Sequence, residues 1–245
     1  MKLDSADDRS DYETKAADYF RLARQEIVPF LPSNCRCLLD VGCGAGVFGE
    51  MVRRNRKIEV WGVEPLSSVA AEASAKLDHV VVGSFGPETD LPEKTFDCIV
   101  FNDVLEHMMA PEKALRYART LLTDDGFIVA SIPNIRYLPI LWPLMVGGKW
   151  KYEDCGVLDK THVRFFTRSS IITMFQSEGF TVGRISGINA RAGIPQSSKR
   201  LWRAYEFVNA LSFQKFDDLR FQQFVVVAQP TPILRSGGIC SCRPD

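Results

Sequence analysis

Short apolar runs alternate with segments of helical periodicity along the first half of the chain. The apolar runs favour strands and occupy residues 37–41, 58–63, 80–82, 96–101 and 127–132. The helical segments that separate them occupy residues 47–54, 67–76 and 111–122. Because strands that alternate with helices form parallel sheets covered on both faces, the pattern predicts a doubly wound α/β fold.

The pattern changes after Pro133. A helix is predicted over residues 169–178, with strands over 180–185 and 221–228 and a helix at 199–211. Two inserts interrupt these elements, at about 134–166 and 187–218, and loops of such length are usually binding elements. Residues 12–31 favour a helix before the first strand. We therefore expect one domain over residues 1–229 and a flexible tail over 230–245.

Composition and charge exclude several classes of protein. Of the 245 residues, 46% are hydrophobic and 24% are charged, which excludes a disordered or collagen-like chain. Thirty basic residues balance thirty acidic ones, so we expect no nucleic-acid partner. The opening residues are acidic and polar and the seven cysteines are scattered, which favours a cytoplasmic protein with reduced thiols. The longest apolar stretch, residues 138–147, is about half as long as a membrane span. We therefore expect at most peripheral contact with a membrane.

A glycine-rich turn follows the first predicted strand and has two interpretations. Residues 44–49 form GxGxxG, and Glu64 lies twenty residues beyond Gly44, where a ribose-binding acid would stand in a nicotinamide-dependent reductase. The wider segment, residues 38–46, resembles motif I of class I S-adenosylmethionine (SAM) dependent methyltransferases. Residues 60–65, 96–107 and 121–134 resemble further motifs of those enzymes in order. Residues 161–167 resemble a segment of type-11 and type-23 methyltransferases, including members linked to glycan biosynthesis.

The resemblance covers residues 10–229 and implies a fold and a cofactor. The fold would be a Rossmann-like, mostly parallel sheet of seven strands with the last strand antiparallel, an N-terminal capping helix and two substrate-side inserts. SAM would be the cofactor and S-adenosylhomocysteine the product. The implied cofactor-binding residues are Tyr19, Arg24, Asp40, Gly42, Cys43, Gly44, Gly46, Glu64, Pro65, Ser84, Phe85, Asn102 and Asp103.

The resemblance assigns these residues to different parts of SAM. The three glycines would wrap the methionine end, and Asp40 would orient their loop or reach the amino group. Glu64 would accept both ribose hydroxyls. Ser84 stands where an acid is common, so Ser84 and Phe85 would hold the adenine. Asn102 would lie near the methionine moiety, and Arg24 would pair with the SAM carboxylate.

Methyl transfer to oxygen needs a group that removes the acceptor's proton. Of the three histidines, His79 looks structural, and either His107 or His162 would be the base, with His162 preferred; Asp103 is a further catalytic candidate. Asp103, Glu106 and His107 also resemble the divalent-metal site of ubiquinone-pathway O-methyltransferases. Those enzymes typically carry glutamate in place of Asp103, so we expect no metal and keep Mg²⁺, Mn²⁺ or Zn²⁺ as the alternative.

The first insert bears on the acceptor. Residues 135–152 are apolar and aromatic, and residues 159–167 resemble methyltransferases of surface-polysaccharide pathways. We expect a hydroxyl on a sugar, nucleotide-sugar or lipid-linked glycan. The alternatives are a quinone-like or small phenolic acceptor with a divalent metal, an NAD(P)-dependent reductase, and a non-catalytic SAM-binding subunit. The same insert would suit peripheral contact with a membrane.

Overall fold

A computed structural model describes residues 20–190 and 199–232 of the chain, with the side chains of residues 199–201 excepted. The strands are β1 (Cys37–Val41), β2 (Glu59–Glu64), β3 (His79–Val82), β4 (Phe96–Asn102), β5 (Leu122–Pro133), β6 (Phe180–Ala190) and β7 (Phe221–Pro230). The helices are α1 (Val47–Arg56), α2 (Ser67–Ser74), α3 (Pro111–Leu121), α4 (Leu138–Gly147), α5 (Arg168–Ser177) and α6 (Lys199–Leu211). Short 3₁₀ turns cover Gln25–Phe30, Leu105–His107 and Asp217–Arg220.

The seven strands form one sheet in the order β3-β2-β1-β4-β5-β7-β6. Strands β1 to β5 pair in parallel, whereas β7 runs antiparallel to both of its neighbours. The predicted doubly wound α/β sheet with an antiparallel last strand is therefore confirmed. The strand order reverses between β1 and β4, and a crevice at such a switch point is where ligands bind in open α/β sheets.

Apolar side chains from both faces of the sheet form two cores. One contains Phe96, Phe101, Leu115 and Phe175 together with other side chains from β4, α3 and α5. The second packs Phe48 of α1 against residues of β1 and β2. All five residues of β1 are buried, which is expected of a central parallel strand.

The N-terminal segment differs from its prediction. Residues 12–19 of the expected helix, including Tyr19, lie outside the described residues. The remainder is a 3₁₀ turn over Gln25–Phe30 rather than an α-helix. Arg24 has a φ of 48° and Pro29 lies inside the turn, and both features oppose α-helix propagation.

The inserts also depart from the sequence pattern in two places. Helix α4 was not predicted, because an apolar stretch with two prolines has no polar face to give helical periodicity. Strand β6 extends to Ala190, so residues 187–190 pair with β7 instead of opening the second insert. Helix α6 occupies residues 199–211 as predicted.

The two inserts pack on each other. Leu138 of α4 and Trp202 and Tyr205 of α6 share a third apolar cluster with Val157 and Leu219. None of the helices in the described ranges is long and apolar enough to cross a membrane. Five cysteines fall within these ranges, and all carry free thiols; the tail beyond residue 232 lies outside them.

Candidate functional site

A pocket of about 410 Å³ lies at the carboxyl ends of the central strands. Its lining includes Val41 at the end of β1, Val63 near the end of β2, Asn102 at the end of β4 and Pro133 at the end of β5. The pocket therefore sits at the switch point between β1 and β4. The N-terminal segment closes one side, since Phe20 also lines it.

The glycine turn after β1 forms one wall of this pocket. Gly42 and Gly44 line it and have φ values of 68° and 53°, which an L-residue with a side chain rarely adopts. A Cβ on Gly44 would lie 2.6 Å from the carbonyl oxygen of Phe20. Cys43 lies between them, and burial raises the pKa of its thiol well above the ordinary range, so it stays neutral and fills space.

Two predicted cofactor residues support the turn without lining the pocket. The Glu64 carboxylate is fully buried and accepts hydrogen bonds from the amides of Gly44 (3.1 Å) and Leu66 (3.0 Å). A Cβ on Gly46 would lie 3.0 Å from the Cα of Ala73, so that glycine allows α1 to approach α2. Pro65 lines the pocket. The contact of Glu64 with ribose hydroxyls stays a prediction.

Three polar side-chain atoms on the pocket wall are buried with no hydrogen-bond partner among the described residues. They are Oδ1 of Asp40 and both side-chain polar atoms of Asn102. Burial, together with the nearby charge of Glu64, raises the pKa of Asp40 to about 8. Buried polar groups are normally hydrogen-bonded, so these atoms fit the polar methionine end of SAM. With the glycine turn beside them, the residues present suit this cofactor.

The region predicted for adenine contains one residue that faces the pocket and one that does not. Phe85 lines the pocket and is buried, and its ring contacts Phe101 and Tyr117 at centroid distances of 5.6 Å and 5.1 Å. Ser84 is absent from the lining, and its carbonyl oxygen accepts a hydrogen bond from Thr89 at 2.7 Å. Phe85 is thus the better placed of the two for stacking on a base.

Asp103 and Arg24 form the centre of a hydrogen-bonded network. The Arg24 guanidinium donates to Asp103 and, at 3.0 Å, to the hydroxyl of Ser131. Asp103 also accepts from Ser131 at 3.0 Å and from Gln223 at 2.8 Å. Burial alone would lower the pKa of Arg24. The negative charges of Asp103 and Glu26 have the larger combined effect, so the pKa of Arg24 is raised. Both network residues line the pocket, and the Asp103 carboxylate already accepts hydrogen bonds from Arg24, Ser131 and Gln223.

A cluster of Glu106, His107 and His162 lines the other half of the pocket. The two imidazole rings meet edge-on with centroids 4.7 Å apart, and Nε2 of His162 lies 3.9 Å from Oε1 of Glu106. Both carboxylate oxygens of Glu106 are buried with no hydrogen-bond partner among the described residues. Burial and the charge of Asp103 raise the Glu106 pKa well above its ordinary value.

Backbone carbonyls fix the orientation of both rings. Nδ1 of His107 lies 3.0 Å from the carbonyl oxygen of Thr161, and Nδ1 of His162 lies 3.1 Å from that of Val157. A carbonyl can only accept, so each Nδ1 carries a proton, and in a neutral ring the lone pair then lies on Nε2. Burial and the neighbouring His162 lower the pKa of His107 to about 4.

The cluster also bears on the metal alternative. Glu106, His107 and His162 each offer one potential ligand atom, and these three atoms lie within 4.8 Å of one another. Two imidazoles and a carboxylate are a donor set that suits a divalent transition metal. The predicted set of Asp103, Glu106 and His107 is not the one brought together, because Asp103 is held by Arg24 and Gln223.

Sequence reasoning missed three amide side chains of the pocket. Asn189, Gln222 and Gln223 come from β6 and β7 and line it. Asn189 donates to Gln223 at 2.7 Å. Alternating polar residues near a strand end are common on exposed sheets, so no signal in the sequence marked them as pocket residues.

This geometry defines an α/β enzyme whose pocket pairs a glycine-rich cofactor cradle with an acid–imidazole cluster. The family Methyltransf_23, described as a methyltransferase domain, matches residues 12–184. The chain therefore belongs to this methyltransferase family, and its cofactor is SAM, as the motifs imply. The match favours SAM over a nicotinamide cofactor at the glycine turn.

Curated relatives share sequence with the chain, and a solved structure shares its fold. The chain is 25% identical over 159 residues to the ubiquinone biosynthesis O-methyltransferase of Aeromonas salmonicida, a match that covers 62% of this chain and 66% of that protein. The same figures hold for the enzyme of that name from Photobacterium profundum. A SAM dependent methyltransferase from Archaeoglobus fulgidus shares the fold with a TM-score of 0.60, at 19% identity, over 87% of this chain and 94% of that one. The chain thus spans about two thirds of the length of these curated relatives.

Proposed function

We propose that the protein methylates a ring hydroxyl on a small aromatic acceptor of the quinone-precursor class. One observation carries the proposal: the glycine cradle and the Glu106, His107 and His162 cluster line the same pocket. The relatives named for ubiquinone biosynthesis support an aromatic hydroxyl as the acceptor, in line with the quinone-like alternative from the sequence.

The cofactor half of the pocket would be formed by the ends of β1 and β4. Gly42 and Gly44 allow close approach of the methionine chain, and Asp40 and Asn102 offer their unpartnered atoms to its polar groups. SAM, when bound, supplies an activated methyl group on a sulfonium leaving group. Phe20 and Phe85 line this side of the pocket, and their apolar rings would limit the access of water to the bound cofactor.

His162 is the proposed proton acceptor. The bond from its Nδ1 to Val157 leaves the lone pair on Nε2, and that atom is the one nearest to Glu106. The acceptor's proton would move to Nε2 as the acceptor oxygen takes the methyl group, and the partial negative charge on Oε1 of Glu106, 3.9 Å from Nε2, would favour the positive charge that forms on the ring. The low pKa of His107, about 4, keeps that ring neutral beside it and avoids a second positive charge.

If the site binds a metal, the same three residues act as metal ligands instead of providing the base. Glu106, His107 and His162 would then bind a divalent ion, which would lower the pKa of the acceptor hydroxyl. We expect methyl transfer to survive dialysis against a chelator, because the proposed base is an imidazole. Loss of activity on dialysis, with recovery on addition of Mg²⁺, Mn²⁺ or Zn²⁺, would contradict the metal-free route.

A sugar hydroxyl is the second candidate acceptor. Asn189, Gln222 and Gln223 give one wall of the pocket amide groups, which can both donate to and accept from hydroxyl groups. This observation keeps the glycan expectation open.

An acceptor panel separates the two candidates. The protein is incubated with methyl-labelled SAM and either catechol derivatives or nucleotide-sugars, and the label is followed into each product by mass spectrometry. The proposal predicts a methyl ether on the catechol derivatives at a rate well above the protein-free control. Label found only in the sugar products would replace the first candidate with the second.

A further inference from the structure

A short segment of the first insert, residues 159–164, is tied to the 3₁₀ turn that follows β4. The backbone carbonyl of Glu106 in this turn accepts hydrogen bonds from the amides of Val163, at 3.0 Å, and of Arg164, at 3.1 Å. The insert is thereby fixed against the turn that also carries His107. Side chains of the insert can therefore hold the His107 ring in one orientation.

Thr161 contacts the His107 ring through two oxygen atoms. Nδ1 of His107 lies 3.0 Å from the carbonyl oxygen of Thr161 and 3.1 Å from its hydroxyl oxygen. The hydroxyl donates its own proton to Oδ1 of Asp159, at 2.8 Å. A hydroxyl has one proton, so that of Thr161 can only accept from His107, and the ring proton must lie on Nδ1.

Asp159 anchors Thr161 at a second point. Its Oδ1 also accepts a hydrogen bond from the backbone amide of Thr161, at 2.9 Å. Asp159 is buried and lines the pocket together with His107. Buried polar networks of this kind rigidify the residues they join. The hydrogen bonds thus run in one chain, from His107 to Thr161 and from Thr161 to Asp159.

The position of the His107 proton matters because His162 lies beside this ring. The two ring centroids are 4.7 Å apart, and one ring nitrogen of His107 lies within 4.8 Å of one ring nitrogen of His162. A neutral imidazole has a single N–H group, on either nitrogen. A proton on Nε2 of His107 would let this ring donate to His162 and compete with the acceptor hydroxyl. A proton held on Nδ1 is directed at Thr161 instead.

We propose that Asp159 and Thr161 are positioning residues for methyl transfer, which hold the His107 proton on Nδ1 and so prevent His107 from donating a hydrogen bond to His162. The inference rests on the proposed role of His162 as proton acceptor. Both residues act through His107, so their loss should slow methyl transfer and leave the affinity for S-adenosylhomocysteine unchanged.

The first test locates the ring protons by NMR, without cofactor or acceptor. The chain has three histidines, so the ring nitrogens can be resolved in the ¹⁵N-labelled full chain and assigned with His79→Gln and His107→Gln. We expect His107 to carry its proton on Nδ1 in the wild type and to show a mixture of both tautomers in Asp159→Ala. A wild-type His107 with its proton on Nε2 would overturn the proposal. An Asp159→Ala protein whose His107 stays wholly in the Nδ1–H form would do the same.

A matched pair of variants at Thr161 gives the second test, in single-turnover methyl transfer. Thr161→Val removes the hydroxyl and should slow transfer about three- to tenfold, whereas Thr161→Ser keeps it and should stay within about twofold of the wild type. Both should bind S-adenosylhomocysteine as the wild type does. The proposal is overturned if Thr161→Val transfers at the wild-type rate, or if Thr161→Ser is equally slow. Weaker product binding in Thr161→Val would also overturn it, since the role of Thr161 would then be structural.

The two tests separate this inference from the proposed function. If Asp159→Ala does not fold, the Thr161 pair decides by itself. If the wild type methylates none of the acceptors in the panel, the proposed function fails, and the tautomer of His107 still decides whether Asp159 and Thr161 position its ring.

Discussion

At the scale of single residues, the pocket holds polar groups that the chain itself leaves without partners. Asp40 is buried at the end of β1 beside the glycine turn, and its carboxyl group has a pKa of about 8. Buried polar atoms without a partner in the chain are uncommon, and groups with strongly shifted pKa values concentrate at functional sites. The sequence identified Asp40 from its place in the motif, but its unpartnered oxygen is visible only in the fold.

The raised pKa of Asp40 predicts how stability and cofactor binding depend on pH. The pKa of Asp40 in the folded protein lies above its ordinary value of 3.8, so the neutral carboxyl group favours the folded state at low pH. This contribution to the free energy of unfolding is lost as the pH rises toward about 8. The cationic amino group of SAM favours the ionised carboxylate, so SAM should bind more tightly as pH rises, by up to about tenfold per unit. Calorimetric titration between about pH 6 and 8 measures this. Asp40→Asn should remove the pH dependence, and Asp124→Asn, at an exposed site, should retain it.

Gly44 predicts a second residue-scale effect. Gly44→Ala places a methyl group 2.6 Å from the carbonyl oxygen of Phe20, at a φ of 53°. We expect a loss of about 1–3 kcal/mol in the free energy of unfolding, with weaker SAM binding. Gly86→Ala is the control, because a Cβ there meets nothing within 4 Å. Equal denaturation midpoints for the two variants would show that the turn tolerates a side chain.

At the scale of elements, the sheet and helix α6 of the second insert were predictable, whereas the structure of the first insert was not. Buried parallel strands such as β1 are short continuous apolar runs, and this pattern located them to within a few residues. Helix α4 was missed because a stretch that is apolar all round has no period. The hydrogen-bond partners of His107 and His162 could not be predicted from the sequence either. They are the backbone carbonyls of Thr161 and Val157, whose positions depend on the fold of the insert.

Helix α5 gives an element-scale prediction. The Thr167 hydroxyl accepts a hydrogen bond from the Ser170 amide at 3.2 Å, and the Ser170 side chain accepts one from the Thr167 amide at 2.9 Å. Thr167→Ala should lower the free energy of unfolding by about 1 kcal/mol, measured by urea denaturation. Thr167→Ser keeps the hydroxyl and should restore most of this stability. A Thr167→Ser variant as unstable as Thr167→Ala would show that the hydrogen bond is not the cause.

At the scale of the whole molecule, the pocket joins two parts of different origin. The cofactor half is formed by turns at the ends of β1 and β4, which the parallel sheet places at one edge. The acceptor half takes His162 from the first insert and Gln223 from β7. This division explains why the cofactor followed from local motifs, whereas the acceptor depends on segments far apart in sequence.

The central claim is that one pocket binds SAM through Asp40 and removes the acceptor proton through His162. The most direct test measures S-adenosylhomocysteine affinity and single-turnover methyl transfer in His162→Gln, with His79→Gln as the matched control at an exposed site. His162→Gln should bind the product as the wild type does, with transfer slowed about 100- to 10,000-fold. His79→Gln should match the wild type in both measurements. A His162→Gln protein that transfers methyl at the wild-type rate would contradict the account.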